Sequence, residues 1–279
     1  MSSYFNPTEL TRSFLETGTV KSGQKVYQLL LLGLLGGAFI AFASEGSNAA
    51  IHTIASVGLG KALAGALFST GLMMVVLTGA ELFTGSALLI VPLLSGAIRL
   101  PRMLRSWGLV YIGNFAGSLV IVGFVLLSGQ LDFSNGLLGA FTIKVAAYKA
   151  GLSFVNAFFM GILCNWLVCM AVWMAAAAKD IVGKIFAIFF PIWLFITSGF
   201  EHSIANMYYI PAGILAKANP QYVQQAITLG VSAESLANLN WGTFIYANLI
   251  PVTLGNIIGG ALFVGVIFWI SFLRKDKQP

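Results

Sequence analysis

Long apolar segments separated by short polar ones make up most of this 279-residue chain. A transmembrane helix needs about 20 residues to cross a hydrocarbon core of about 30 Å. The pattern therefore predicts an all-α integral membrane protein, with six transmembrane helices in residues 26–273 and polar terminal segments in residues 1–25 and 274–279. The apolar runs fall near residues 26–44, 61–94, 107–129, 150–178, 181–213 and 244–273.

The N-terminal segment does not resemble a signal peptide, because it is polar and acidic where a signal peptide has a basic start followed by an apolar stretch. Asn6, Pro7 and Glu9 have the spacing of a helix N-cap, a first-position proline and a capping-box acid. Leu10 and Phe14 lie one helical turn apart. We predict a short amphipathic helix on the membrane surface.

Composition excludes a soluble globular protein. Hydrophobic residues make up 58% of the chain and charged residues 9%, whereas a soluble domain carries about a quarter charged residues. The net charge of +6 comes from basic residues scattered singly, so no nucleic-acid partner is expected. Cys164 and Cys169 lie five residues apart in one apolar run, on different helix faces, and predict neither a disulfide nor a metal site.

The basic residues predict the orientation of the chain. With six spans, both termini and two of the loops lie on the same side, and that side carries eleven Lys and Arg residues against four on the other. The positive-inside rule places the richer side in the cytoplasm. The eleven are Arg12, Lys21, Lys25, Arg99, Arg102, Arg105, Lys179, Lys184, Arg274, Lys275 and Lys277, and the four are Lys61, Lys144, Lys149 and Lys217.

The second and fifth apolar runs are unusually long, and each contains a polar interruption. The interruptions span residues 78–85 and 197–203, and each run continues to a proline, Pro92 or Pro211. The following spans contain similar Gly-Asn phrases at residues 113–118 and 255–260. We interpret this as two inverted three-helix repeats with interrupted second and fifth helices, a pattern that points to a permeation site near the bilayer midplane. Gly79 and Gly199 mark the two breaks.

Ionisable residues within the membrane are candidates for function, since an unpaired charge there is costly. The spans as predicted contain Glu81, Glu201 and His202, with the other acidic residues in termini or loops. The two glutamates could instead accept hydrogen bonds from backbone donors freed by the breaks. His202 can exchange a proton near neutral pH, although a lone histidine is often a packing residue. Thr84 can direct its hydroxyl into the predicted permeation site or form a hydrogen bond with the backbone of its own helix.

Bulky apolar residues flank both breaks. They would form constrictions that exclude hydrated ions, or they would simply pack between helices. Lys149, at the end of the loop that precedes the fourth span, is either a snorkelling anchor or the positive mouth of a pore. The apolar candidates are Phe68, Leu72, Leu82, Phe83 and Phe195.

Four segments resemble the signature segments of the formate/nitrite transporter family. They are Gly79-Ala-Glu-Leu-Phe-Thr-Gly85, Cys164-Asn-Trp-Leu-Val-Cys169, the stretch from Gly199 to Met207 and the stretch from Ile250 to Gly260. The resemblance covers nearly the whole chain. It implies an aquaporin-like homopentamer in the bacterial inner membrane, in contact with lipid, whose protomers each pass small monovalent anions of weak acids and need no cofactor.

The same resemblance implies roles for individual residues. His202 matches the pore histidine, Thr84 the loop threonine, Glu201 a glutamate that orients the histidine, and Lys149 the vestibule lysine. Asn165 and Asn256 match polar neighbours of the centre. Leu72, Leu82 and Phe83 match the cytoplasmic constriction, and Phe68 and Phe195 the outer one. The family also implies that the N-terminal segment closes the cytoplasmic mouth at low pH.

The substrate inferred from the resemblance is formate. The stretch from Gly199 to Ser203 and the sixth span are more similar to formate channels, whereas Gly85 and the segment from Cys164 to Trp166 are more similar to nitrite channels. Nitrite and hydrosulfide are therefore alternatives, and a neutral-solute channel is a third. The sequence contains no phosphate-binding loop or zinc-binding helix motif, so no enzymatic activity is expected.

Overall fold

The computed structural model describes residues 4–274, and nearly all of them are helical. No β-strand occurs in this range, although Tyr4 and Ala178 form an isolated antiparallel bridge. Lys275 and Lys277, counted above among the cytoplasmic charges, lie outside the described residues. The helices are α1 (Pro7–Ser22), α2 (Val26–Ile51), α3 (Val57–Thr78), α4 (Phe83–Leu94), α5 (Leu100–Leu127), α6 (Leu137–Ala150), α7 (Phe154–Ala177), α8 (Ile181–Ser198), α9 (Ser203–Ala216), α10 (Pro220–Thr228), α11 (Ala233–Asn238) and α12 (Trp241–Phe272).

Six of these helices are long and apolar enough to cross a membrane, which confirms the predicted class. They are α2, α3, α5, α7, α8 and α12. The first predicted span was too short, because α2 continues from residue 44 to Ile51. As a consequence Glu45, which we had assigned to a loop, lies inside a spanning helix and is buried. The expectation that Glu81 and Glu201 are the only acids within the membrane was therefore wrong.

The N-terminal helix forms where its capping sequence predicts. The side chain of Asn6 accepts a hydrogen bond from the Glu9 amide at 2.9 Å, and the Glu9 carboxylate accepts one from the Asn6 amide at 3.1 Å. Farther along α1, the ring of Phe14 stacks on that of Trp173 of α7, with centroids 4.1 Å apart. The helix is thus held against the end of the spanning bundle.

The two long apolar runs each form two helices separated by a short non-helical segment. Helix α3 ends at Gly79, with φ of 77°, and α4 begins at Phe83. Helix α8 ends at Gly199, with φ of 75°, and α9 begins at Ser203. Glycine reaches this left-handed conformation without the steric cost of a side chain, so the chain can leave α3 and α8 at these two residues.

Glycines allow some of the helices to approach one another closely. A Cβ atom added to Gly117 of α5 would lie 1.9 Å from the carbonyl oxygen of Leu34 in α2. One added to Gly255 of α12 would lie 2.1 Å from the carbonyl oxygen of Phe158 in α7. Small residues allow such approaches between membrane helices. A close approach of this kind occurs in both halves of the chain, while the inverted repeat itself stays a prediction.

Candidate functional site

Two residues meet at the centre of the bundle, one near the start of α4 and one just before α9, the helices that follow the two breaks. The Nε2 atom of His202, the residue before α9, lies 3.0 Å from the Oγ1 atom of Thr84 in α4. Both residues are buried. The Nδ1 atom of His202 accepts a hydrogen bond from the Ala205 amide at 3.1 Å. In the neutral ring the proton therefore lies on Nε2, which donates to Thr84.

The backbone of Thr84 is fixed by α7. Its carbonyl oxygen accepts hydrogen bonds from Asn165 Nδ2 at 3.1 Å and from the Cys169 thiol at 3.3 Å. Asn165 Nδ2 also donates to the Asn256 carbonyl oxygen at 2.6 Å. Asn165 thus joins the first break to α12. Both cysteines are free and buried.

Two asparagines hold the two breaks by equivalent sets of hydrogen bonds. Asn114 accepts from the Phe83 amide and donates to the carbonyl oxygens of Glu81 and Gly33. Asn256 accepts from the Ser203 amide and donates to those of Glu201 and Gly161. Backbone groups freed in a membrane must find partners within the protein, and here a side chain from the following spanning helix provides them. These asparagines are the residues of the repeated Gly-Asn phrase.

Glu201 pairs with Lys149 at the end of α6. Lys149 Nζ lies 2.8 Å from Glu201 Oε1, and the side chains are 13% and 2% exposed. The other carboxylate oxygen accepts hydrogen bonds from Asn206 at 2.7 Å and from Asn248 at 3.3 Å. The structure assigns no hydrogen bond between Glu201 and His202 in the described chain. Glu201 therefore does not orient the histidine through a direct hydrogen bond, because its carboxylate points toward the lysine and the two amides.

Glu81 pairs with a lysine from the N-terminal helix. Lys21 Nζ lies 3.0 Å from Glu81 Oε1. The alternative in which both glutamates accept hydrogen bonds from freed backbone donors is not what the structure shows, since the described partners of their carboxylates are side chains. A cavity of about 240 Å³ lies beside the Lys21 pair and is lined by residues of α1, α3, the first break and α7, including Phe14, Leu72, Glu81 and Leu82.

The predicted constriction residues occupy different positions. Leu72 and Leu82 line the cavity on the α1 side of the centre. Phe68 and Phe195 meet edge to face with centroids 5.6 Å apart, and the ring of Phe195 lies 6.1 Å from that of His202. Phe83 does not line the cavity, because its ring packs against two others, those of Trp107 and Tyr111, at 6.0 and 4.8 Å.

Two polar residues that bind Glu201, and one that binds a later residue of α9, were not singled out from the sequence. Asn206 lies one turn beyond His202, and Asn248 lies in a π-helical segment of α12, Phe244–Leu249. Such segments often occur at functional sites, but a sequence does not reveal them. Glu45 accepts a hydrogen bond from the Tyr208 hydroxyl at 2.6 Å. The polar run from Glu45 to Asn48 resembles a loop in the sequence, which concealed it.

In the described part of the chain, six spanning helices and a buried polar centre, where α4 and α9 begin, define a multi-pass membrane protein whose centre is formed by both halves of the sequence. Residues 8–270 match the family model described as formate/nitrite transporter. The chain belongs to the formate/nitrite transporter family.

Known relatives cover almost the whole chain. It is 41% identical over 264 residues to the formate channel FocA of Haemophilus influenzae, which covers 93% of this chain and 92% of that protein. It is 36% identical over 276 residues to the formate channel FocA of Escherichia coli, with 98% and 96% covered. A solved structure described as a pentameric formate channel with formate bound matches with a TM-score of 0.80 and 38% identity, covering 89% of this chain and 98% of that one.

Proposed function

We propose that this protein conducts formate across the bacterial plasma membrane, as a homopentamer whose protomers each contain a pore and whose termini face the cytoplasm. The observation that carries the proposal is the buried contact between His202 and Thr84. It places a proton-exchanging ring and a hydroxyl where two half-helices start, in a chain that is 36–41% identical to proteins named formate channels.

The centre favours a small anion for two reasons. The N-termini of α4 and α9 meet there, and the positive ends of helix dipoles stabilise negative charge. The Thr84 hydroxyl, which accepts from His202, is free to donate its own proton to a carboxylate oxygen. Nearer the outer surface, Lys149 would attract the anion before it enters.

The apolar rings of Phe68 and Phe195 are the reason to include a proton in the proposed transport of the anion. A bare anion between Phe68 and Phe195 would lose its hydration without compensation, whereas formic acid is neutral. We propose that, while the anion is present, His202 takes up a proton from water at Nδ1, where the hydrogen bond from the Ala205 amide must first break. The Nε2–H bond then breaks as an O–H bond forms on formate, which leaves a neutral ring with its proton on Nδ1. Loss of that proton to water and addition of another at Nε2 restore the resting ring.

The N-terminal helix is proposed to close the cytoplasmic mouth at low pH. It supplies Phe14 and Lys21 to the lining of the cavity, and Lys21 pairs with Glu81 across it. Deleting residues 1–20 and following the pH dependence of flux tests this part of the proposal. An unchanged dependence would contradict it.

Nitrite and hydrosulfide are the second candidates, because both are small anions of weak acids and the family model includes nitrite transport in its description. The test is a flux panel in proteoliposomes with formate, nitrite, hydrosulfide, lactate and uncharged glycerol, with and without a pH gradient. We expect formate to move fastest and to respond to the gradient. Faster flux of nitrite or hydrosulfide would make that anion the substrate in place of formate. Glycerol flux without formate flux would contradict an anion pore.

A further inference from the structure

A widened turn interrupts α12 near its N-terminal end. The segment Phe244–Leu249 is π-helical, and the Ile250 amide donates to the carbonyl oxygen five residues back, that of Ile245. Pro251 follows, and it has no amide proton with which to continue the series of backbone hydrogen bonds. Turns of this kind are rare and are often found at functional sites. A polar side chain that this turn directs into the bundle is therefore a candidate for a role in transport.

Asn248 is such a side chain, because it is buried whereas Tyr246 of the same turn is exposed. Its Nδ2 atom donates to the carbonyl oxygen of Lys149 at 2.9 Å and to Glu201 Oε2 at 3.3 Å. Its Oδ1 atom accepts from Asn206 Nδ2 at 2.6 Å. A backbone carbonyl can only accept, so the nitrogen of the Asn248 amide must face Lys149. Both protons of that nitrogen are used, which fixes the plane of the amide.

Asn248 thus binds both members of the buried ion pair, Lys149 through its backbone and Glu201 through its side chain. Asn206 donates to the same carboxylate oxygen, Oε2, at 2.7 Å. The two amides occupy Oε2, and the hydrogen bond from the Lys149 ammonium group goes to the other oxygen, Oε1, at 2.8 Å. The orientation of the carboxylate is therefore set by three hydrogen bonds, of which two come from amides.

This arrangement leaves part of the Lys149 ammonium group available. The group has three protons, and within the described residues it donates one hydrogen bond, to Glu201. A carboxylate that turned both oxygens toward the ammonium group would occupy a second proton and neutralise the positive charge more completely. The Asn248 amide opposes that rotation, because it binds Oε2 and is itself tied to the Lys149 backbone.

We propose that Asn248 is a positioning residue for the ion pair of Lys149 and Glu201. It limits the pair to one hydrogen bond and so leaves the ammonium group able to bind the incoming anion. The inference rests on the proposed function, in which Lys149 attracts formate, and it names the side chain that sets how strong this attraction is. It also gives a reason for the widened turn at this position of α12.

The test compares variants of Asn248 in proteoliposomes, with the half-saturating formate concentration and the maximal flux measured separately. Asn248→Leu has the same branching at Cγ but binds neither partner. It should raise the half-saturating concentration about three- to tenfold, with maximal flux within about twofold of wild type. Asn248→Asp cannot donate and adds a negative charge beside the pair, so its rise should exceed that of Asn248→Leu. Asn238→Leu is the matched control, because Asn238 is exposed at the end of α11.

A background without the ion pair separates positioning from packing. Lys149→Met combined with Glu201→Gln removes both charges, and adding Asn248→Leu should then leave the half-saturating concentration unchanged. An equal rise in the two backgrounds, or no rise in Asn248→Leu alone, would overturn the inference. If Asn248→Leu fails to assemble, Asn248→Ser, which keeps one donor proton, is compared in the same two backgrounds and should give a smaller rise in the first alone. Absence of formate flux in the wild type would instead count against the proposed function.

Discussion

Lys149 and Glu201 form an ion pair that is almost entirely withdrawn from the surface, with 2.8 Å between Nζ and Oε1 and side-chain exposures of 13% and 2%. Two amides, from Asn206 and Asn248, complete the surroundings of the carboxylate. Removing one partner of such a pair leaves an uncompensated charge, which is far more harmful than replacing both. The pair therefore has consequences for stability as well as for conduction.

Replacing Glu201 with glutamine should destabilise the protein. Lys149 would remain buried without its counter-charge, at a cost of about 3–5 kcal/mol. The measurement is thermal unfolding of the purified protein in detergent. Glu234→Gln is the control, since Glu234 is exposed. Lys149→Met combined with Glu201→Gln should recover part of the loss, and equal unfolding temperatures for Glu201→Gln and Glu234→Gln would contradict the prediction.

Replacing His202 with asparagine should remove the response of formate flux to a pH gradient, because the amide cannot exchange a proton near neutral pH. Asparagine can still accept the Ala205 amide bond that His202 accepts now, so the start of α9 should be preserved. Flux is measured in proteoliposomes between pH 5 and 8. Wild type and variant with the same pH dependence would exclude His202 as the proton-exchanging group.

Thr84→Val should lower formate flux while Thr84→Ser largely preserves it. Valine keeps the size of the side chain but cannot accept the His202 proton or donate to the anion. We expect a reduction of about tenfold or more, corresponding to the loss of a hydrogen bond of about 1.5 kcal/mol. The comparison of serine with valine separates the hydroxyl from the shape, and equal flux in the two variants would show that the hydroxyl is dispensable.

Alanine at Gly117 or Gly255 should prevent stable folding, because the new Cβ would lie within 2.1 Å of a backbone oxygen of the neighbouring helix. Alanine at Gly123 is the matched control, since an added Cβ there meets no atom within 4 Å. Yield and monodispersity after detergent extraction are the measurement. Well-folded protein from Gly117→Ala would mean that α2 and α5 lie farther apart than described.

Lys21→Ala should increase formate flux by releasing α1 from Glu81, with which Lys21 now forms a 3.0 Å ion pair. Because the lysine is 42% exposed, the pair is worth at most about 1 kcal/mol, so the increase should be a few-fold at most. Arg12→Ala removes an exposed charge from the same helix and should have no effect. Reduced flux in Lys21→Ala would show that this helix does not restrict the mouth.

The spanning helices were predictable because the hydrocarbon core requires a fixed number of apolar residues. The break positions were predictable too, since Gly79 and Gly199 stand where long apolar runs become polar. The end of α2 was not. Glu45 is tolerated inside that helix because Tyr208, far away in the chain, donates to it, and hydropathy along a sequence contains no information about such a partner.

The site was predictable in its residues more than in its contacts. Glu201 precedes His202 in the sequence, and the family resemblance implied that it orients the histidine. At the start of a helix, neighbouring residues point in different directions, so His202 faces Thr84 while Glu201 faces Lys149. Asn248 was beyond prediction, since its position depends on a locally widened turn of α12.

The equivalent bonds of Asn114 and Asn256 restrict how transport can take place. A rocking motion that exposed the centre to one side and then the other would have to separate the breaks from their supporting helices, disrupting four buried hydrogen bonds. In a medium without water to replace them, each broken bond leaves unsatisfied polar groups. We therefore expect the centre to stay rigid during transport, and any gating to take place at the two ends of the pore.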